Sequence, residues 1–350
     1  MSLEVIVGGQ FGSEAKGAVT AALTAEHVRL GRDVTVIRVG GPNAGHSAYD
    51  PQGRLWALRQ IPVGMVVDPS VTGVIGDGSE IDPQVLNDEI VRLEDAGHRI
   101  QDRLYISDEA TLIYPRHKAL EAELVGRVGS TGKGIGAARA ERLMRNADRV
   151  KDNPLALLAG TRVKPGPEIC RILNTQARAS YSVVALEGTQ GYGLGLTAGY
   201  YPQCTSSNTR AIDFLAMAGI NPWGILGGPT IHVVVRPYPI RVAGNSGPLL
   251  GETTWADLGL KEELTTVTKK VRRVGEWDPA LVRAALQANG PTSVLALSMV
   301  DQVPGMTEPL GERKVLTPAG TEWIEQLQQD LATEIRWYGT GPRLQDWRQW

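Results

Sequence analysis

Lys16 sits in a glycine-rich turn, Gly8-Gly9-Gln10-Phe11-Gly12-Ser13-Glu14-Ala15-Lys16-Gly17, which follows the apolar run Val5-Ile6-Val7 and leads into Ala18 to Leu23. A strand that empties into such a turn exposes backbone N–H groups at a helix N-terminus, where aligned peptide dipoles and one ammonium favour a phosphate. The spacing is not the Walker pattern, which needs four residues between its glycines and then Gly-Lys-Ser/Thr, so the turn alone reads equally as a plain strand-to-helix connection. His46 lies in a second glycine loop, Gly40-Gly41-Pro42-Asn43-Ala44-Gly45-His46-Ser47. Glycines allow close backbone approach there, although a loop histidine taken alone is more often a surface residue than a catalyst.

Three further segments carry polar chemistry. Gly129-Ser130-Thr131-Gly132-Lys133-Gly134-Ile135-Gly136 precedes Arg139, Arg142 and Arg145. Hydroxyls and amides on that loop suit a phosphate monoester with the arginines supplying charge, and equally a polar surface loop before an amphipathic helix. Tyr201 to Thr209 is rich in hydroxyls and suits a ligand or a helix-capping turn. Leu264 to Gly275 holds Lys269, Lys270, Arg272 and Arg273 with no acid among them. Such a run is usually solvated surface, and alternatively captures dicarboxylates.

In order along nearly the whole chain these segments resemble the adenylosuccinate synthetase family. Gln10 to Gly17 is similar to its Gln-Trp-Gly-Asp-Glu-Gly-Lys-Gly, and Asn43 to Ser47 to its Asn-Ala-Gly-His-Thr. Ser130 to Gly136, Glu187-Gly188-Thr189-Gln190-Gly191, Pro202 to Thr209, Arg241 to Gly244, Leu264 to Gly275, Ser298 to Asp301 and Gly339 to Pro342 follow with their own counterparts.

The resemblance implies a P-loop-like α/β ligase that phosphorylates O6 of a 6-oxopurine nucleotide and lets the aspartate amine displace phosphate at C6. It implies that Gly12, Ser13, Glu14, Ala15, Lys16, Gly17, Gly45, His46 and Ser47 bind the triphosphate, with Asp301, Gly339 and Gly341 at its base. It implies that Ser13, Asn43, Ser130, Thr131, Gln190, Leu194, Thr205, Val242 and Gly244 surround the nucleoside monophosphate. Arg145 would reach that phosphate from the neighbouring subunit of a homodimer. Val267, Thr268, Lys270 and Arg272 would hold L-aspartate. Magnesium (Mg2+) would sit at Ser13 and the Gly45 carbonyl, and Ser13, Lys16 and His46 would be catalytic.

Four departures from the family pattern stand out. Pro42 replaces a histidine and bears on the loop's entry; Lys270 and Val271 stand where arginines are usual, so ribose and aspartate contacts there differ. Met299 replaces the lysine that packs on guanine, which opens the site to ATP or dATP. Ser13 replaces the aspartate that serves as base for N1 and as metal ligand, and a neutral serine does neither well. Losing a general base costs on the order of 10²- to 10⁴-fold. Guanine keeps O6 and N1–H and adds a 2-amino group that a carboxylate would hold or crowd, whereas serine is smaller. The chain resembles the bacteriophage members that carry this change and convert dGMP and aspartate into the succinylated precursor of 2-aminoadenine, which implies the host cytoplasm as its location. The rivals are an ordinary synthetase acting on IMP with GTP and a catalytically silent nucleotide-binding homologue. Retention of Lys16, His46, Gln190, Thr205 and Arg272 argues against decay.

The elements that must position these groups are short apolar strands alternating with helices. Val34-Thr35-Val36-Ile37-Arg38-Val39, Val71 to Ile75, Val183 to Leu186, Ile231 to Val235 and Ser293 to Leu297 read as buried strands. Asp82-Pro83 reads as N-cap and first turn of a helix through Leu93. The charges from Asp88 to Arg103 read as a solvated face, and Trp347 and Trp350 as packing. This alternation predicts a mainly parallel α/β sheet with flanking helices and ligands at the strand C-termini, in a single domain spanning 1–350 with loop excursions. The balance of 36 basic and 38 acidic residues gives no nucleic-acid signature. Cys170 and Cys204 lack metal-ligand spacing and suit a reducing compartment. No signal region and no membrane-spanning apolar run is present, so the sequence reads as cytosolic.

Overall fold

The computed structural model of the protein describes residues 3–265 and 270–350. The predicted strands form where expected, as β1 (Leu3–Gly8), β2 (Asp33–Arg38), β3 (Thr72–Ile75), β6 (Ser182–Glu187), β7 (Thr230–Val235) and β8 (Ser293–Leu297), and four that the sequence pattern did not single out join them: β4 (Leu104–Ser107), β5 (Arg162–Lys164), β9 (Ile335–Gly339) and β10 (Trp347–Gln349). They make one sheet in the order β10-β9-β8-β7-β1-β6-β2-β3-β4-β5. Every pairing in it is parallel except β9 with β10.

Helices cover both faces, as a parallel sheet requires. Along β1 the side chains alternate between two apolar cores. Leu3, Val5 and Val7 pack with Ile169 and Leu173 of α6 (Gly166–Gln176), Phe214 of α7 (Ala211–Met217), Val282 of α8 (Pro279–Asn289) and Ile324 of α9 (Pro318–Leu331). Ile6 packs on the other face with Val19 and Leu23 of α1 (Lys16–Arg29) and Leu86 and Ile90 of α2 (Pro83–Asp95). Burial on both faces explains why these strands read as unbroken β-branched runs. Among the described residues no helix is long and apolar enough to cross a membrane.

Asp82-Pro83 opens α2 where expected, and the expectation of a solvated face from Asp88 to Arg103 is corrected. Asp82 stands at the N-cap of α2 but makes no capping bond; its carboxylate pairs with Lys118 at 2.6 Å. Glu89 is buried rather than solvated, because its carboxylate accepts the backbone N–H groups of Arg59, Gln60 and Ile61. Arg103 likewise spends its guanidinium on the carbonyls of Met65, Val71 and His98. Trp347 is buried, whereas Trp350 is partly exposed and meets Tyr338 edge-on. Both cysteines are free thiols.

Candidate active site

The chain leaves β1 at Gly8 and turns through residues with positive φ, Gly12 (89°), Ser13 (61°) and Ala15 (70°), before α1 begins at Lys16. Glycine adopts such angles freely; the non-glycine residues are held by Glu14. Its buried carboxylate accepts from the N–H of Gln10 (3.2 Å) and Gly12 (2.7 Å) and pairs with Lys16 Nζ at 2.7 Å. Gly12 and Glu14, both expected at the triphosphate, thus bond to each other: the Gly12 amide is engaged inside the loop, and the Glu14 side chain braces the turn and neutralises Lys16. The helix N-terminus at Ala15, Lys16 and Gly17 keeps the donors that no earlier turn satisfies.

His46 is delivered beside that N-terminus by a hairpin strand, His46–Tyr49. A Cβ on Gly17 would lie 2.8 Å from His46 Cβ and 2.9 Å from the backbone N and O of Ser47, so glycine at 17 allows the approach. His46 Nδ1 lies 2.5 Å from Oε1 of Glu187 at the end of β6. A proton on Nδ1 satisfies that contact and leaves Nε2 for a ligand. Arg38, at the end of β2, donates to the same carboxylate and, at 2.5 Å, to the Ala44 carbonyl. Glu187 Oε2 accepts the N–H of Val63 at 2.8 Å. Burial, with the charge of Arg38 adding to it, lowers the His46 pKa to about 4 despite Glu187. The imidazole is therefore neutral near pH 7.

Ser13 is exposed, and its hydroxyl accepts a hydrogen bond from Arg272, in the basic segment. Arg236, fully buried after β7, ties the same region together. It donates to the Ser13 carbonyl (3.3 Å), to Glu263 (2.5 and 3.0 Å) and to Gln302 Oε1 (3.3 Å), while its backbone exchanges two 3.0 Å bonds with the Gln10 amide. Lys270 is exposed, and its amide donates to Thr265 Oγ1 at 3.0 Å. Val267 and Thr268 lie outside the described residues.

Gln190, with φ of 62°, closes over the first loop: a Cβ on Gly8 would meet the Gln190 carbonyl at 2.6 Å. Leu194 Cδ1 would lie 3.7 Å from a Cβ on Gly12, and the Leu194 carbonyl accepts the Thr205 N–H at 2.8 Å. Gly12, Gln190, Leu194 and Thr205 therefore share one wall. Arg241 stacks on Phe11, its guanidinium carbon 4.2 Å from the ring centroid, and carries Val242 and Gly244 beside it in sequence. Gly129 rests on Ser246, which brings Ser130 and Thr131 to the Val242–Gly244 side, while Gly41, near Asn43, packs on Ile135.

The expected phosphate role of the 129–136 loop needs a correction. Buried Glu121 accepts the amides of Gly134 (2.7 Å), Gly136 and Ala137 (3.1 Å), so the N-terminus of α5 (Ile135–Leu143) already holds an anion. Ser130 and Thr131 remain as hydroxyls. Arg139 is paired with Glu80 at 2.6 Å and Arg142 with Glu109 at 3.2 Å. Arg145, exposed just past the end of α5, carries no ion pair recorded among the described residues.

On the other side of β7, Asp301 follows β8, Gly339 ends β9 and Gly341 follows it. A Cβ on Gly339 would lie 2.8 Å from the Trp347 ring, and one on Gly341 2.6 Å from Asp346 Oδ2, so both glycines fit a tight turn. The Gln302–Arg236 bond couples this side to the first loop.

Sequence reasoning did not assign the positioning residues Arg38, Glu187, Arg236, Glu263 and Glu121. Arg38 and Glu187 sit at strand C-termini beside glycine loops, and that position was the available signal.

No three His, Cys, Asp or Glu among the described residues come together as a metal cage. Gly45 and Ser13 are both exposed and present hard oxygen donors. Magnesium commonly takes few protein ligands and completes its six with phosphate oxygens and water, so this donor set fits a metal carried in by a triphosphate.

The adenylosuccinate synthetase family profile matches residues 5–159 and 159–309. Adenylosuccinate synthetase of Pyrococcus sp. (strain ST700) is 33% identical over 347 residues, covering 97% of this chain and 96% of that protein. The Archaeoglobus fulgidus enzyme is 31% identical over 352 residues, covering 98% and 97%. The cyanophage S-2L succinoaminodeoxyadenylate synthetase (PurZ), solved bound to dGMP and dATP as an energy donor, superposes with a TM-score of 0.81 at 26% identity, covering 99% of this chain and 95% of that one. Plasmodium falciparum adenylosuccinate synthetase shares the fold, with a TM-score of 0.80 at 21% identity over 100% and 99% of the two chains. With its sheet, its glycine loops and its sequence all matched over nearly their full length, the chain belongs to the adenylosuccinate synthetase family and is a carbon–nitrogen ligase.

Proposed function

We propose that the protein joins L-aspartate to C6 of dGMP, using ATP or dATP and a 6-phosphoryl intermediate, to give 2-amino-2'-deoxy-N6-succinyladenylate for 2-aminoadenine DNA. The observation that carries this reading is the Ser13 hydroxyl bonded to Arg272 where the family has a carboxylate. A carboxylate there would bind N1–H and the 2-amino group of guanine together. A hydroxyl that accepts from Arg272 keeps its own proton to donate and leaves room for that amino group. The cyanophage structure with dGMP and dATP supports the same substrates.

In this reading the amides at the start of α1 and Lys16 take the phosphates, and an incoming phosphate competes with Glu14 for the ammonium. His46 Nε2 gains a proton as anionic charge arrives and donates to the phosphoryl group on O6. Glu187 and Arg38 fix its ring. Arg272 serves both Ser13 and a carboxylate of aspartate, with Lys270 nearby in sequence. The Gly45 carbonyl, with Ser13 as a weak neutral oxygen, would hold magnesium, which when bound would supply positive charge to the phosphates. Asn43, Ser130, Thr131, Gln190, Leu194, Thr205, Val242 and Gly244 line the acceptor nucleotide, and Arg145 reaches its phosphate from the second subunit of a homodimer.

A second reading, IMP with GTP, is favoured by the archaeal relatives, which are named adenylosuccinate synthetase. The deciding experiment is turnover with aspartate and magnesium, crossing dGMP, GMP and IMP against ATP, dATP and GTP, with phosphate release and product mass measured together. Turnover of dGMP to a succinylated 2-aminopurine deoxynucleotide establishes the proposal, and preference for IMP sinks it.

A further inference from the structure

Lys314 belongs to none of the segments that resemble family motifs. It lies on the hairpin Thr307–Leu310 and Arg313–Leu316, on the strand that runs past the Gly339–Gly341 turn. Thr340 Oγ1 donates to the Lys314 carbonyl at 2.8 Å, which pins the strand to the turn. The Lys314 ammonium donates to Asp301 Oδ2 at 3.2 Å. Both side chains keep solvent contact, at 48% and 23% exposure, so the pair adds little to stability. Met299, two residues before Asp301, has no cation to offer. A lysine from a different element therefore supplies the positive charge beside Asp301.

We infer that Lys314, through its bond to Asp301, selects an adenine over a guanine triphosphate. The inference rests on the reading of Asp301 and the Gly339–Gly341 turn as the donor-base pocket and names the base. A bare carboxylate matches guanine, because N1–H and the 2-amino group donate side by side to its two oxygens. With Oδ2 engaged by an ammonium, that two-pronged mode has to compete with Lys314 for Oδ2. Guanine can then use the pair only through O6 and N1–H, which leaves its 2-amino group without a partner. Adenine presents a 6-amino donor beside the N1 acceptor, and Oδ1 with Lys314 satisfies both.

The test is binding of ADP and GDP, each with magnesium, by calorimetry on the wild-type chain, Lys314→Met and Lys314→Arg, with thermal melts to verify folding. Wild type is expected to bind ADP at least tenfold more tightly than GDP. Lys314→Met is expected to move that ratio at least tenfold toward GDP, chiefly by gaining GDP affinity, which a merely structural role of Lys314 would not produce. Lys314→Arg is expected to keep the ratio. Wild-type preference for GDP, no ADP binding at millimolar concentration, or an unchanged ratio in Lys314→Met overturns the inference. An acceptor preference for IMP would defeat the proposed function without altering this ratio, so the two failures are distinguishable.

Discussion

Arg272 reaches across 259 residues of sequence to donate its guanidinium to the Ser13 hydroxyl, joining the basic segment to the first glycine loop. Replacing Ser13 with aspartate turns this contact into an ion pair and puts a carboxylate against the acceptor base. For Ser13→Asp the ratio of kcat/KM for dGMP over IMP is expected to fall at least tenfold, about 1.4 kcal/mol of discrimination. An unchanged ratio in steady-state assays would remove Ser13 as the acceptor-selecting residue.

His46 gives a pH signature. Its folded pKa of about 4, set first by burial and then by Arg38, lies below the ordinary 6.5. The unfolded chain therefore binds the extra proton first. The stability of the ligand-free enzyme is complete above pH 6.5 and is lost as pH falls toward 4, by on the order of 1 kcal/mol per pH unit from this group. Denaturant titrations across that range should show the slope, and His46→Gln should flatten it.

Phosphate binding should reverse that balance. Calorimetry in buffers of different ionisation enthalpy is expected to show proton uptake when the triphosphate binds wild type near pH 7. His46→Gln should bind without it.

Glu14 holds the loop and Lys16 at once. Glu14→Ala strands a buried ammonium and two amides and is expected to cost about 3–5 kcal/mol in urea unfolding. Glu14→Gln keeps an acceptor for the amides and should cost less, about 1–3 kcal/mol.

Gly17→Ala would press a methyl group against His46 Cβ and the Ser47 backbone. The expected overpacking cost is about 1–3 kcal/mol. Because the hairpin carrying His46 must retreat, kcat/KM is expected to fall more than tenfold while the circular dichroism spectrum stays native. Wild-type activity would show that the hairpin can give way without consequence.

The frame of this fold was legible because its signals are local. The β-branched runs of β1, β2, β6, β7 and β8 and the glycines after them lie within a few residues of one another in sequence, and they place Lys16, His46, Gln190 and Asp301 beyond strand C-termini. What stayed hidden depends on pairs distant in the chain. Glu187 meets His46 141 residues away, and Arg236 meets Ser13 223 residues away. A carboxylate's task is equally invisible locally. Glu14 reads as a ligand-facing charge and Glu89 as a surface one, and Glu121 draws no notice, yet each satisfies clustered backbone amides in the interior. Lys314 escaped because a hairpin lysine has no distinguishing spacing.

The position of β1 between β6 and β7 has a consequence for synthesis on the ribosome. The first strand to emerge waits for both neighbours, β6 ending at Glu187 and β7 at Val235. Until both are made at least one edge of β1 is unpaired, and the glycine turn lacks Arg236 behind it. The nascent chain thus carries its glycine turn for two thirds of translation without the full set of walls that shape it. Premature termination anywhere before that point releases a fragment with an unpaired apolar strand edge, a substrate for chaperones and proteases.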